Sequence, residues 1–492
     1  MIKNYQKYVI ASILVMILLG VMMYKIPTHD THEVIWQPEQ PEYAAQPRYI
    51  FMFIGDGMGM NHRTLAEEYR RWRAGDPSYL LAMNNMTIST MLSTRGLNRL
   101  IPDSGAAGTA LATGVQSQNG VISMNEDRTQ PLRTILQALQ DEGMAVGLVT
   151  DVAVTHATPA TFGANVPNRR HQTDIALQYF EREIDFIAGG GRRYFLPTEV
   201  NGRRTDDQDL IEAFYDIGYT INLNLDDFLA TNFSESDRFL GLFASNALSS
   251  AITQTNQGQT TPTLAQLTQA GIDVLSNDEE GFFLMVEGGL IDTVSHVNDT
   301  ASVLHQILAF DEAIQVAIDF YHKHPEETLI IVTSDHESGG LGLNAINFEN
   351  IETITTSFNS GIKPYLSEGD WRGLQDAIAE HWHLELTDLE IEMLRDRFEH
   401  LSTLDISEAF GLESDDLDDD DLAYMLEIGG HVVAPVLFDE TGVTWSAQGH
   451  TAAHVPLTVM GVGSERFLSV QHLVDVPNVL ADKMGVRIGL SN

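Results

Sequence analysis

Cysteine is absent from all 492 residues, which removes disulfides, thiolate metal sites, iron–sulfur clusters and cysteine nucleophiles at once. Any metal must therefore rest on histidine, carboxylate, hydroxyl or carbonyl oxygen. Positive charge is scarce as well. Only 28 Lys and Arg stand against 69 Asp and Glu, giving a formal net charge of −41. Holding nucleic acid by broad phosphate neutralisation needs clustered cations, so nucleic acid is excluded as a partner, except for ends that could serve as substrate. No internal repeat is visible. What remains is 43% hydrophobic and contains 39 Gly, the composition of a chain with a sizeable core.

The N-terminus bears on compartment. Lys3 and Lys7 precede an apolar run from Tyr8 to Tyr24 that is longer than a usual signal-peptide core and just long enough to span a bilayer. No A-x-A cleavage site follows closely, and Tyr43-Ala44-Ala45 is the nearest candidate. Residues 1–25 are expected to be a signal peptide or an inner-membrane anchor, with the length favouring the anchor. The protein is then exported, periplasmic or extracellular. Residues 26–47, rich in Pro, Thr, His and Gln, are expected to be a linker, and 48–492 one domain.

Within that domain, short apolar runs alternate with helical patterns. Tyr49–Ile54, Met144–Thr150, Phe282–Val286 and Leu329–Thr333 are continuous rather than alternating, and a helical pattern at Leu132–Glu142 precedes the second of them. Strands of that kind predict an α/β fold: a mostly parallel central sheet with helices on both faces. Ligands of such sheets gather beyond the carboxyl ends of the strands. The charge is unevenly placed. Arg48–Arg170 holds 11 basic and 10 acidic residues, whereas Glu368–Glu427 holds 20 acidic and 3 basic. An acidic insertion is expected at about 343–430, with a helical pattern at Trp371–Phe398 and an acidic run at Asp415–Asp421. That run lacks the spacing of an EF-hand and suits a solvated face.

The strand ends carry the chemistry. Gly55-Asp56-Gly57-Met58-Gly59 follows the first run, Glu287, Asp292 and His296 follow the third, and Ser334, Asp335 and His336 follow the fourth. A hairpin-like stretch, Val436–Ser446, leads into Gly449-His450-Thr451. Singly, an Asp after a strand is a helix cap and a lone His is structural. Asp292 and His296, however, share one helix face at i,i+4 spacing and suit one ion. Carboxylate with imidazole, without thiolate, suits catalytic zinc and magnesium. In Asp103-Ser104-Gly105-Ala106-Ala107-Gly108, Ser104 is either the cap of a small-residue helix or a nucleophile at its positive end.

The segments GDGMG, DSGAAGTALATG, HATPATFGANVPNR, VEGGLIDTVSH, VTSDHESGG and GHTAAHVPL occur in that order. Together the chain resembles the alkaline phosphatase family from about Arg48 to its end. The resemblance implies hydrolysis of phosphate monoesters through a phosphoserine on Ser104, with Arg169 clamping the phosphate. It implies one zinc on Asp292, His296 and His450, a second zinc on Asp56, Asp335 and His336, and a magnesium on Asp56, Thr158 and Glu287. A homodimer is implied too. Three positions depart from the best-known enterobacterial type: His156 and Ser295 stand where it has Asp, and Thr293 where it has Lys. These lie among its phosphate-contacting and supporting positions, which bears on magnesium selectivity and pH optimum. Phosphodiester or sulfate-ester hydrolysis on the same metal site is the alternative. An acidic cation-sequestering protein would explain the insertion but not Ser104 and Arg169. The net charge is expected to serve solubility in salty surroundings, where screening mutes its repulsion of anionic substrates.

Overall fold

The computed structural model describes residues 46–402 and 441–490. The apolar run Tyr8–Tyr24, the linker up to residue 45 and the run Asp415–Asp421 lie outside the described residues. Among those described, no helix is long and apolar enough to cross a membrane.

Nine strands form one sheet. In chain order they are β1 (Tyr49–Gly55), β2 (Ile88–Leu92), β3 (Ala145–Ala153), β4 (Phe186–Gly190), β5 (Thr220–Asn222), β6 (Phe239–Leu242), β7 (Phe282–Gly288), β8 (Thr328–Thr333) and, last, Val455–Gly461. Four short strands form two separate pairs: β9 (Glu337–Ser338) with β12 (His450–Thr451), and β10 (Leu341–Leu343) with β11 (Val443–Trp445). Val455–Gly461 is therefore β13. The sheet order is β2-β13-β8-β1-β7-β3-β4-β6-β5, and every pairing is parallel except the two made by β13. The expected mostly parallel sheet is what the chain forms.

The central strand β1 is buried on both faces because its sequence, YIFMFIG, has apolar side chains at every turn of the pleat. Phe51 and Phe53 enter one apolar cluster, and Ile50, Met52 and Ile54 the other. Helices α1 (Met60–Ala74), α4 (Leu264–Leu275) and α6 (Thr300–Tyr321) cover the first face; α2 (Ser104–Thr113) and α3 (Ala157–Gly163) cover the second. Helix α2 is small-residue-rich because it packs closely on α3: a Cβ on Gly108 would lie 2.7 Å from Thr161 Oγ1. A short helix, α5 (Leu290–His296), links β7 to α6.

Two helical patterns resolve differently from expectation. The pattern at Leu132–Glu142 becomes a helix only over Ile135–Asp141, because Thr134 and Gln137 form a capping box that starts it there. The pattern at Trp371–Phe398 is two helices, Trp371–Trp382 and Asp388–Ser402. His383 ends the first in the left-handed region with φ 52, and the Thr387 and Glu390 side chains start the second by exchanging hydrogen bonds with each other's backbone N–H. Residues 344–442 leave and return at neighbouring points, since Leu343 pairs with Val443. Leu374, Ile378 and Trp382 of this stretch are buried in the first-face cluster. In the described part of the hairpin-like stretch Val436–Ser446, Val443–Trp445 is a strand; residues 436–440 lie outside the described residues.

Asp311 of α6 is buried under the first face and accepts from Ala82 N at 3.0 Å and Met83 N at 2.9 Å. Burial pushes its carboxyl up to about 6, against 3.8 unfolded. An acid raised in this way holds its proton more tightly when folded. Its contribution favours folding below about pH 4 and is lost as pH rises through about 6. The stability of Asp311→Asn relative to the wild type should therefore increase by about 2 kcal/mol from pH 4 to pH 7. Urea unfolding at both pH values measures this; a pH-independent difference would contradict it.

Candidate active site

The site lies where β1, β7, β8 and β3 end. Asp56 follows β1 directly, Glu287 is in the last turn of β7, and Asp335 and His336 follow β8. Thr158 lies on α3 and His156 immediately precedes that helix. Asp292 and His296 lie on α5, and His450 on β12, whose antiparallel pairing sets it opposite Ser338. All the sequence-predicted residues come together. Asp56, Ser104, Thr158, Arg169, Glu287, Asp335 and His336 are almost wholly buried.

Three groups of donors each hold their ligand atoms within 4.8 Å of one another: Asp292, His336 and His450; Asp56, Asp335 and His336; and Asp56, His156 and Glu287. The second is the set expected for one zinc. In the first, His336 stands where His296 was expected, although His296 Nε2 is itself 3.1 Å from Asp292 Oδ2. The stacking of the His336 and His450 rings, with centroids 3.5 Å apart, explains that overlap. In the third, the His156 ring joins Asp56 and Glu287, while Thr158 Oγ1 donates to Asp56 Oδ2 at 3.2 Å.

The donor set suits cations. Asp56 Oδ1 and Asp335 Oδ2 are buried without a hydrogen-bond partner, an arrangement that costs free energy unless a positive charge faces them. Burial, then Asp335 and Asp292, push the Asp56 carboxyl well above the usual range. Burial and Asp292 push Asp335 up to about 7. His336 is driven well below the ordinary imidazole range by burial and by His450, so its ring is neutral and can ligate. Backbone carbonyls fix the other two rings. His450 Nδ1 donates to Pro102 O at 2.9 Å and His296 Nδ1 to Gln448 O at 2.6 Å. A carbonyl only accepts, so the proton is on Nδ1 and Nε2 faces the site.

Ser104 is not the cap of α2. That role belongs to Asp103, whose Oδ1 accepts from Ala106 N at 2.8 Å. Ser104 is the first helical residue, and its Oγ lies 3.2 Å from His336 Nε2. Asp103 Oδ2 also accepts from Gly120 N at 3.0 Å and Arg169 Nη1 at 3.1 Å. Arg169 Nη2 donates to His156 Nε2 at 3.1 Å, which leaves His156 Nδ1 to donate to Glu287 Oε1 at 3.0 Å. One carboxylate thus orients both the serine helix and the arginine.

Gly57 allows the cluster to close. Its φ is 72, and a Cβ would lie 2.7 Å from Asp292 Oδ1 and 2.9 Å from Asp292 Cα. Sequence reasoning missed several supporting residues. Ser338 Oγ donates to Asp292 Oδ1, Thr150 Oγ1 donates to Glu287 Oε2, and His62 Nε2 is 3.2 Å from Ser295 Oγ. Ser and Thr carry no signal for such contacts, but a histidine inside the amphipathic α1 and an aspartate inside apolar β3 are visible oddities.

Buried carboxylates and imidazoles around a serine and an arginine form the donor set of a cation-assisted ester hydrolase. The alkaline phosphatase family model matches residues 47–486. Alkaline phosphatase 4 of Bacillus subtilis (strain 168) is 28% identical over 451 residues, covering 89% of this chain and 88% of its own. The crystal structure of Thermus thermophilus alkaline phosphatase is 28% identical with a TM-score of 0.79, covering 91% of this chain and 93% of its own. That of the cold-active alkaline phosphatase from the psychrophile Shewanella sp. is 25% identical with a TM-score of 0.72, covering 88% and 99%. The chain belongs to the alkaline phosphatase family and is a phosphomonoester hydrolase.

Stripping divalent cations with a chelator should lower the thermal midpoint, and adding zinc and magnesium should restore it. A ligand at about 100 to 1,000 times its Kd stabilises the folded state by about 3–4 kcal/mol. A midpoint indifferent to both treatments would speak against a cation site.

Proposed function

We propose that Ser104 Oγ attacks the phosphorus of a phosphate monoester, with two zinc ions and one magnesium ion bound among the three donor groups. Asp292, His296 and His450 would hold the first zinc, Asp56, Asp335 and His336 the second, and Asp56, Thr158 and Glu287 the magnesium, with His156 beside it. These cations, when bound, lower the pKa of a serine hydroxyl and of water and offset charge on the leaving oxygen. The observation that carries the reading is the position of Ser104 Oγ, 3.2 Å from His336 Nε2, at the start of a buried helix whose dipole favours an anion.

The chain's own residues do the rest. Arg169, fixed through Asp103 and His156, offers a planar fork to two phosphate oxygens. The Ser104 O–P bond forms as the ester P–O bond breaks and the alcohol leaves. Water then attacks phospho-Ser104 from the vacated face and releases inorganic phosphate. Two in-line displacements give net retention at phosphorus. His156, through Glu287 on one side and Arg169 on the other, ties the magnesium pocket to the phosphate clamp. An exported enzyme, anchored through residues 8–24 or released by cleavage, agrees with the acidic composition, and a homodimer with the family.

Ser104→Ala should lower monoester turnover by about a thousandfold or more, and acid quenching of the wild type should trap a phosphoserine on Ser104. Turnover of Ser104→Ala near the wild-type rate would overturn the serine mechanism. Faster hydrolysis of an aryl methyl phosphodiester than of the aryl phosphate would favour the diesterase reading instead. Arg169→Lys should lower kcat/KM about tenfold or more, because an ammonium cannot form the two-pronged contact.

A further inference from the structure

We propose that Asp151 is a positioning residue for the first zinc site: from strand β3 it fixes the start of helix α5, so that Asp292 and His296 meet one cation. The proposal rests on the reading of those two residues as ligands. Helix α5 is seven residues long and contains Ile291, Thr293 and Val294. Two turns rich in β-branched residues do not hold their geometry alone. Its cap position is Gly289, which has no side chain to offer. None fits there, because a Cβ would lie 2.6 Å from Val152 Cγ2 and 3.1 Å from Glu287 Cδ.

The cap comes from another strand. Asp151 Oδ1 accepts from Leu290 N at 2.9 Å, which gives a partner to one of the N–H groups that the first turn of a helix leaves unsatisfied. Asp151 is itself held. Its Oδ2 accepts from Gln306 Nε2 of α6 at 3.1 Å, its backbone O accepts from Leu248 N at 2.8 Å, and Gln306 Oε1 accepts from Ala251 N. Asp151 and Gln306 are 7% and 3% exposed. The far end of α5 is pinned separately, since Asn298 Nδ2 donates to Ser295 O at 3.0 Å and Ala447 O at 3.1 Å. The hydrogen bonds of the Asp151 side chain reach Leu290 and Gln306 rather than a proposed ligand, yet a buried carboxyl group is costly to retain. Its hydrogen bonds tie α5 to β3 and α6.

The test is zinc affinity of the intact chain, measured by competition with a chromogenic chelator for the wild type, Asp151→Ala, Asp151→Asn and Asp292→Asn. Asp151→Ala should bind zinc about 10–100-fold more weakly, as supporting residues do, and regain most of its kcat/KM in saturating zinc. Asp151→Asn should recover most of the affinity, because its carbonyl oxygen still accepts from Leu290 N. Zinc affinity in Asp151→Ala equal to the wild type, with only thermal stability lost, would overturn the proposal and leave Asp151 a merely structural residue. Loss in Asp292→Asn but none in Asp151→Ala would sink the positioning role alone. No loss in Asp292→Asn would sink the ligand assignment as well. If Asp151→Ala does not fold, Gln306→Leu takes its place, with an expected loss of several-fold; no loss there overturns the proposal.

Discussion

Four carboxylates, Asp56, Glu287, Asp292 and Asp335, converge at one end of a sheet whose surroundings exclude water. Negative charge concentrated in a low-dielectric setting is strongly unfavourable until positive charge is brought to it. The rest of the architecture keeps that cluster from relaxing. Parallel strands β1, β7 and β8 lie side by side, so the residues after them cannot separate without breaking the ladder. Helices on both faces bury the strands completely, and Gly57 lets Asp292 approach closer than any other residue would permit. The free-energy cost of the cluster is thus matched by the rigidity of its support.

Much of the sheet was legible because continuous apolar runs have only one comfortable place in an α/β fold, between two layers of helices. Residues at their carboxyl ends, such as Asp56 and Asp335, followed from the same rule. Helix limits were less legible. Trp371–Phe398 looks continuous by periodicity, but His383 and the Thr387–Glu390 exchange interrupt it, and local hydrogen bonding outweighs the apolar period. The identity of the α2 cap turned on one residue. Asp103 and Ser104 both favour that position, and the bond from Ala106 N to Asp103 Oδ1 decides between them. Contacts such as Asp151 with Leu290, or His62 with Ser295, join residues more than a hundred positions apart and leave no periodic trace.

The departures from the enterobacterial pattern are accommodated locally. His156 links Glu287 to Arg169, so the arginine is oriented by an imidazole as well as by Asp103. Thr293 turns its hydroxyl back to Gly289 O at 3.2 Å, and Ser295 bonds Ile291 O at 2.7 Å and meets His62. Both hydroxyls serve the backbone of α5. The positive charge that a lysine at position 293 would contribute is missing, which leaves Arg169 and the proposed cations to balance a bound phosphate.

The position of β13 has a consequence for the order of assembly. It is the last of the described strands in chain order, yet it sits inside the sheet between β2 and β8, and β2 has no other neighbour there. Strand β2 therefore waits in the nascent chain for a partner that emerges more than three hundred residues later. His450, five residues before β13, arrives with it. Long-range closure of this kind slows folding, and it ties completion of the proposed ligand set to completion of the sheet. Up to that moment a ribosome-bound chain carries Asp56, Ser104 and His336 without His450, so the proposed donor set is complete only once β13 has been made.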